Sequence, residues 1–354
     1  MIDIRKSIKE LKEYKVIQDC SVVKLNQNES PYDIPYELKK EILNKMLKTE
    51  WNRYPPINAL NLVKEISIFT NYSASGIIVA NGSNEIIETI FKTICEKGNK
   101  VSIISPGFTI YERLARIHDL EIVDIPLFHD FIFDVSSIIE KSKSTKILIF
   151  ASPNNPTGTA LSIEEINEIL TNYKGIVVVD EAYFDFYKKT SQKLLQSFNN
   201  LIIIRTFSKA FGLAGLRLGY ILTNPRIATL INKVKLPFSV GIFQQIAGEL
   251  ILRNKIYNEE TVDRIIKERD KIFSELKKIK GIKPIPSFTN FILFELSTKS
   301  AKSIFSMLYE KGVLLRYFTH PRLKNTLRVT IGKPKENEIF LKKLKEILLS
   351  KDKQ

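Results

Sequence analysis

The chain has 354 residues and a mass of 40.7 kDa, which is enough for two modest domains or for one large domain with a smaller one. Hydrophobic residues make up 44% of the sequence and charged residues 26%, a composition that excludes a disordered or fibrous chain. Lysine and arginine number 54 against 39 acidic residues, so the formal charge is +15. The dense basic stretches, 277–283 and 342–353, are interrupted by leucine or isoleucine. They indicate solvated helix faces and helix ends, and we predict no nucleic-acid partner.

The two cysteines, Cys20 and Cys95, are too few for a disulfide framework and lack the spacing of metal ligands. We therefore expect reduced thiols and no metal site. The first residues, MIDIRKSIKELKEYK, carry charges throughout and lack the apolar run of a signal peptide. No apolar segment approaches about 18 residues, the length that a membrane-spanning helix needs. These features predict a cytoplasmic protein without a membrane partner.

From about residue 76, short runs rich in β-branched residues alternate with amphipathic or turn-rich stretches. The predicted strands are 77–80, 101–105, 121–125, 146–151, 175–180, 201–205 and 218–222. Continuous isoleucine and valine runs are typical of strands buried on both faces, and strand–helix alternation favours a mainly parallel sheet covered by helices. Ser162 and Glu165 have the spacing of a capping box just after Gly158, which predicts a helix start there.

After about residue 250 the sequence changes to long, charged amphipathic helices with few strands. The predicted helices are 259–280, 300–311 and 337–350, and the predicted strands are 290–295 and 325–331. The fold class that follows is α/β, with a mainly parallel central sheet sandwiched by helices and a smaller α+β domain. We predict a large domain at 36–250 and a small domain made of 1–35 and 251–354.

The carboxyl end of strand 77–80 is the first of four strand ends that carry polar side chains. It runs into Asn81-Gly82-Ser83-Asn84 and then into an apolar helix. A glycine turn with free backbone N–H groups at a helix N-terminus suits a phosphate, although Ser83 is equally suited to a simple N-cap. In open α/β sheets ligands bind beyond the carboxyl ends of strands, so this turn is a candidate binding site.

The other three strand ends carry an amide, a carboxylate with a phenol, and an amine. Asn155 stands between two prolines that fix the backbone, and Asp180 is followed three residues later by Tyr183. Lys209 lies among phenylalanine, alanine, leucine and glycine, where poor solvation lowers the pKa of an amine and makes it nucleophilic toward carbonyls. Singly each residue fits an ordinary turn, cap or surface position; together they are far more specific.

In this order, and each just past a strand, the set resembles the signature of fold type I pyridoxal-phosphate enzymes: Asn155, Asp180, Tyr183, Ser208, Lys209 and Arg217. Within that group the chain resembles the histidinol-phosphate aminotransferase family, through the runs 26–29 (NQNE), 53–55 (RYP), 82–85 (GSNE), 205–217 (RTFSKAFGLAGLR) and 327–332 (LRVTIG). The resemblance covers nearly the whole chain.

The resemblance implies pyridoxal 5'-phosphate as cofactor. Lys209 would bind it as a Schiff base and then move the proton, and Asp180 would pair with the protonated ring nitrogen. Asn155 and Tyr183 would hydrogen-bond the 3' oxygen of the cofactor. Phe108 matches the aromatic position that stacks on the ring.

The resemblance also implies a phosphate site and a homodimer with shared active sites. Ser208, Arg217 and the backbone at Ser83 and Asn84 would hold the cofactor phosphate. Tyr54 matches a tyrosine that reaches the same phosphate from the partner subunit.

For the substrate, the resemblance implies Arg316 and Arg328 as ligands of its anionic groups, with Asn28 nearby; Arg322 could stand in for Arg316. Ser30 and Asn84 depart from the residues that relatives often carry. The implied reaction is transamination between L-histidinol phosphate and 2-oxoglutarate in histidine biosynthesis. An aromatic amino acid aminotransferase, a threonine-phosphate decarboxylase and a binding module without catalysis remain alternatives.

Overall fold

The computed structural model describes residues 4–19 and 21–349, so Cys20 and the last residue of the predicted helix 337–350 lie outside the described residues. The helices are α1 Lys6–Lys9, α2 Tyr36–Leu47, α3 Leu60–Thr70, α4 Gly82–Ile94, α5 Thr109–Ile117, α6 Val135–Ser142, α7 Ile163–Asn172, α8 Phe184–Tyr187, α9 Pro225–Val234, α10 Ile242–Arg253, α11 Lys255–Lys277, α12 Ala301–Glu310 and α13 Pro334–Leu349. The strands are β1 Val23–Lys24, β2 Ile77–Ala80, β3 Lys100–Ser105, β4 Glu121–Pro126, β5 Ile147–Ala151, β6 Ile176–Asp180, β7 Leu201–Thr206, β8 Gly219–Thr223, β9 Ile282–Pro284, β10 Phe291–Leu296, β11 Val313–Leu314, β12 Arg316–Tyr317 and β13 Thr326–Thr330.

A seven-stranded sheet with the order β2-β8-β7-β6-β5-β3-β4 forms the centre of the fold. All seven predicted strands are present, each with ends within one residue of the prediction. The neighbours from β7 to β4 are parallel, whereas β8 is antiparallel to both β7 and β2. The mainly parallel sheet is therefore confirmed. Because β8 runs the other way, its amino end lies at the edge where the carboxyl ends of β2, β3, β5, β6 and β7 meet.

Helices cover both faces of this sheet, because alternate side chains of the strands point to opposite sides. Val177 and Val179 belong to a hydrophobic cluster that includes residues of α2, α3, α6, α7 and α10. Val178 belongs to a second cluster that includes residues of α4, α5 and α9. Full burial of such a side chain contributes about 1.5–3 kcal/mol. The start of α7 is fixed by the predicted capping box, in which Ser162 and Glu165 exchange hydrogen bonds.

The C-terminal part has a four-stranded antiparallel sheet with the order β12-β13-β10-β9, and α11, α12 and α13 pack on it in a core of its own. Helix α11 begins four residues before the predicted start and ends three residues before the predicted end. The early start follows from Asn254, which ends α10 and directly precedes α11. Strands β1, β9, β11 and β12 were not predicted, because two or three residues are too few to show an alternating pattern.

The N-terminal segment connects the two parts of the structure. Arg5 forms an ion pair with Asp119, Arg113 of α5 donates to the carbonyl of Lys12, and Tyr309 of α12 donates to Asp19. Strand β1 then pairs in parallel with β11. The proposed domain limits at 35 and 250 stay a prediction. Within residues 4–19 and 21–349, no helix is long and apolar enough to cross a membrane.

Candidate active site

Lys209 lies in the loop that follows β7, at the edge of the sheet where the polar strand ends meet. Its side chain is half-buried, and Nζ donates to the backbone carbonyl of Gln27 at 3.1 Å. Burial, together with the nearby guanidinium of Arg328, lowers the pKa of this amine to about 8. The expectation of a poorly solvated amine is confirmed. Near pH 8 a large share of Lys209 is neutral and able to attack a carbonyl carbon.

Asp180 ends strand β6 as a buried carboxylate, 3% exposed. Oδ1 accepts from the backbone N–H of Ala182 at 3.0 Å, and Oδ2 accepts from the hydroxyl of Tyr111 at 2.7 Å. Burial raises the pKa of Asp180 to about 6 against the effect of these hydrogen bonds. Sequence reasoning missed Tyr111. Its spacing of three residues from Phe108, on the first turn of a helix, was the available signal.

Phe108 and Tyr183 are two further aromatic residues expected at the site. Phe108 is the N-cap residue of α5, and its ring meets Tyr111 edge to face at 5.5 Å between centroids. The Tyr183 hydroxyl accepts from Asn28 Nδ2 at 2.8 Å, and burial raises the pKa of the phenol to about 12. The other end of the Asn28 amide accepts from Thr330. Asn28, expected near the substrate, is therefore bound at both ends by the protein.

Arg217, Ser208 and the start of α4 form a cradle for an anion. Arg217 Nη1 donates to Ser208 Oγ at 3.2 Å and to the carbonyl of Ala214 at 3.2 Å. Gly82 has φ +79°, and a Cβ placed there would lie 2.6 Å from Arg217 Nη2. The guanidinium thus rests against a bare α-carbon, next to the N–H groups of the first helical turn.

Ser83 and Asn84 belong to that first turn of α4. Ser83 is half-buried and Asn84 is exposed. Asn81 is the N-cap residue, so the alternative in which Ser83 caps the helix is wrong. The backbone turns into the helix two residues earlier than that alternative requires, at the positive-φ glycine Gly82.

Arg328 is a buried cation whose hydrogen bonds go to neutral groups. Its guanidinium is held by Asn155 Oδ1 and by the carbonyl of Asn26, and Nε is buried without a partner. Arg316 is its cross-strand neighbour on β12. Burial, together with the charge of Arg316, lowers the pKa of Arg328 to about 10. Two neighbouring guanidinium groups, one of them buried, make a site that favours an anionic ligand.

The ring of Phe318 lies near the guanidinium groups of both arginines. The Phe318 ring lies 5.8 Å from the guanidinium carbon of Arg316 and 5.6 Å from that of Arg328, within the range of a cation–π contact. Arg322, the possible stand-in for Arg316, donates to the backbone carbonyls of Ser105 and Leu127. Its donors are thus engaged by the main chain at the carboxyl ends of β3 and β4.

Tyr54 contacts an aromatic residue that is not among the expected site residues. Its side chain is 81% exposed, and its ring stacks on Phe238 at 4.6 Å between centroids. An exposed phenol is accessible to a second chain.

The arrangement fits pyridoxal phosphate group by group. The low-pKa amine of Lys209 suits the aldehyde, and the buried carboxylate of Asp180 suits the ring nitrogen. Arg217 and the bare α-carbon of Gly82 leave a polar cradle of the kind that a phosphate fills. Phe108 offers an aromatic ring in contact with Tyr111, the phenol that binds the carboxylate. Within the described residues no cluster of possible metal ligands is found.

Comparisons with known proteins agree with this chemistry. The family model "Aminotransferase class I and II" matches residues 21–344. A histidinol-phosphate aminotransferase of Prosthecochloris aestuarii is 38% identical over 326 residues, which is 91% of each chain. The crystal structure of the histidinol-phosphate aminotransferase from Clostridium acetobutylicum superposes with a TM-score of 0.85 at 28% identity, covering 92% of this chain and 98% of that one.

A further structure shares the fold at lower sequence identity. The histidinol-phosphate aminotransferase from Sinorhizobium meliloti, solved in complex with pyridoxal-5'-phosphate, has a TM-score of 0.88 at 21% identity, covering 98% of this chain and 97% of that one. The family match spans most of the sequence, residues 21–344. The chain belongs to the class I and II aminotransferase family and is a pyridoxal-phosphate-dependent aminotransferase.

Proposed function

We propose that the enzyme transfers an amino group between L-histidinol phosphate and 2-oxoglutarate, giving imidazole acetol phosphate and L-glutamate, as a step of histidine biosynthesis. The observation that carries this proposal is the neighbouring pair Arg316 and Arg328, of which Arg328 lies near enough to the reactive amine to lower its pKa. The names of the relatives at up to 38% identity support the same substrate.

The two co-substrates explain why one site would need two arginines. Histidinol phosphate carries a phosphate ester, whereas 2-oxoglutarate and glutamate carry two carboxylates. A guanidinium can donate two parallel hydrogen bonds to either kind of anion. We assign Arg328 to an anionic group of both substrates, and Arg316 to the distal anion.

We assign to the cofactor-binding residues the roles that their chemistry suits. Bound pyridoxal phosphate supplies a conjugated ring that withdraws electrons from the substrate Cα. Lys209 holds the cofactor and then carries the proton at the substrate Cα, for which its lowered pKa near 8 is suited. Asp180 keeps the ring nitrogen protonated, and Phe108 stacks on the ring.

The remaining groups orient the cofactor. Asn155 and Tyr183 hydrogen-bond the 3' oxygen. Arg217, Ser208 and the first turn of α4 at Ser83 and Asn84 bind its phosphate. Asn28, through its bond to the Tyr183 hydroxyl, fixes the direction of that phenol.

The substitution Arg316→Ala tests the substrate assignment. Loss of a charge-assisted contact costs about 1.5–3 kcal/mol, or roughly tenfold to a hundredfold in kcat/KM for histidinol phosphate. Phenylalanine, which has no distal anion, should lose far less. Arg328→Ala should impair both half-reactions.

Arg226→Ala is the matched control, because Arg226 is exposed on α9 at the surface of the molecule. This substitution removes one positive charge and should leave kcat/KM unchanged for both amino donors, histidinol phosphate and phenylalanine. Equal losses for phenylalanine and histidinol phosphate in Arg316→Ala would contradict the assignment of Arg316 to the phosphate and would favour an aromatic aminotransferase.

We also propose a homodimer with shared active sites. Apolar side chains that are more than half exposed lie close together in sequence: Leu43, Leu47, Trp51, Tyr54, Ile57 and Leu60. Such an exposed apolar surface supports an interface with a second copy of the chain. Tyr54, within this surface, would reach the cofactor phosphate of the partner.

Subunit mixing tests the shared site. A Tyr54→Ala subunit mixed with a Lys209→Ala subunit should regain activity, because one site of the mixed dimer would contain neither substitution. A chain carrying both substitutions, mixed with Lys209→Ala, is the control and should regain none. No recovery after verified subunit exchange would contradict the shared site. We also propose that the enzyme acts in the cytoplasm, and that the chain divides into its two domains at residues 35 and 250.

A further inference from the structure

The carboxylate of Asp180 is held by two donors from different parts of the fold. Oδ1 is bound by the N–H of Ala182, two residues along the same chain segment. Oδ2 is bound by the phenol of Tyr111, which comes from α5 after strand β3. Tyr111 is 1% exposed, so water does not replace it.

Tyr111 is itself fixed on both sides. Its ring packs in the core between the central sheet and α4, α5 and α9. Its ring also contacts Phe108 edge to face. Phe108, the residue expected to stack on the cofactor, and Tyr111, which binds the Asp180 carboxylate, thus lie on the same turn of α5. A phenol held in this way offers its hydroxyl in one direction only.

We infer that Tyr111 is a positioning residue, whose hydroxyl orients the Asp180 carboxylate and stabilises its charged form toward the ring nitrogen of the cofactor. The inference rests on the proposed role of Asp180. An ionised carboxylate has about four acceptor positions, and the protein fills two of them, so two remain for the cofactor.

None of the other charged and titratable groups described around Asp180 can orient its carboxylate in the way that Tyr111 does. Glu181 disfavours the charged form, but its own carboxylate is paired with Arg205. Lys209 favours the charged form, yet its amine is the group that binds the cofactor. Tyr183 faces Asp180 with a phenol whose pKa of about 12 keeps it neutral. Burial raises the pKa of Tyr111 well above its ordinary value, so Tyr111 stays a donor at every working pH.

The test uses the holoenzyme reconstituted with cofactor that carries ¹⁵N in the ring. The ¹⁵N chemical shift, followed by NMR against pH, reports when the partner carboxylate takes up a proton. Removal of one charge-assisted hydrogen bond in Tyr111→Phe should raise that pH by about one to two units. The rate of the half-reaction at acidic pH should fall accordingly.

Tyr173→Phe is the matched control. Tyr173 is another buried phenol, 2% exposed, and it donates to the carbonyl of Thr145, in the segment just before β5. The same chemical change at 173 should leave the ¹⁵N titration unaltered. Identical titrations in Tyr111→Phe and Tyr173→Phe would overturn the inference.

Two further variants keep the result decisive. Asp180→Asn should remove the ¹⁵N titration altogether, and a titration that persists in this variant would contradict the proposed role of Asp180. An unchanged titration in Tyr111→Phe alone would contradict only the inference about Tyr111. Should Tyr111→Phe not fold, 3-fluorotyrosine at position 111 retains the shape and is a stronger donor. It should then lower the titration pH, and an unchanged value would count against Tyr111.

Discussion

The substitution Gly82→Ala tests the anion cradle with a single methyl group. At Gly82 the backbone has φ +79°, and the new Cβ would lie 2.6 Å from Nη2 and 3.3 Å from the guanidinium carbon of Arg217. The guanidinium must therefore move. Its hydrogen bonds to Ser208 and Ala214, both 3.2 Å, would bend or break.

Two effects add in this variant and can be separated. A left-handed backbone costs a non-glycine residue about 1–2 kcal/mol of folding free energy. Displacement of Arg217 from the cofactor phosphate costs about 1.5–3 kcal/mol of binding free energy, which raises the cofactor Kd roughly tenfold to a hundredfold. The first effect appears in unfolding experiments and the second in a cofactor titration.

Gly98→Ala is the matched control for the backbone effect. Gly98 has φ +83°, and a Cβ placed there meets nothing within 4 Å. It should lose only the stability that the left-handed backbone costs, about 1–2 kcal/mol, and bind the cofactor like the unsubstituted enzyme. Equilibrium titration of both variants, followed by the visible absorbance of the bound cofactor, makes the comparison. Equal cofactor Kd values in the two variants would refute the assignment of the cradle.

Three other outcomes follow from the same contacts. Because the pKa of Lys209 is lowered to about 8, its neutral form grows as pH rises through 8, so the rate of cofactor loading should level off above that pH rather than near 10.5; stopped-flow absorbance measures it. Asp180→Ala should slow the half-reaction while the cofactor still binds through its phosphate, as spectra of single half-reactions will show. Arg205→Ala leaves the carboxylate of Glu181 buried without its cation and should cost about 3–5 kcal/mol in urea unfolding, against less than about 0.5 kcal/mol for the exposed Arg226→Ala.

The central sheet could be predicted because its strands are buried on both faces. Continuous runs such as Ile176–Asp180 leave no other stable placement than between two layers of helices. The start of α7 was predictable because both partners of its capping box, Ser162 and Glu165, lie within one turn of the same helix. Local sequence contains all the information that these elements need.

The long-range contacts of the site could not be predicted, because they join residues that are far apart in the sequence. The hydrogen bond between Tyr111 and Asp180 joins residues 69 positions apart, and that between Asn28 and Tyr183 joins residues 155 apart. Which phenol meets which acceptor depends on the order of the strands and on how α5 packs. The role of Gly82 as the contact surface for Arg217 likewise depends on the reversed direction of β8.

The most direct test of the proposed reaction is a set of single half-reactions with the unsubstituted enzyme. Equal concentrations of histidinol phosphate, phenylalanine, tyrosine and threonine phosphate are added separately, and the absorbance of the bound cofactor is followed together with product analysis. We expect histidinol phosphate to react with the highest kcat/KM and 2-oxoglutarate to restore the starting spectrum. A higher kcat/KM for phenylalanine or tyrosine, or release of carbon dioxide from threonine phosphate, would contradict the assignment.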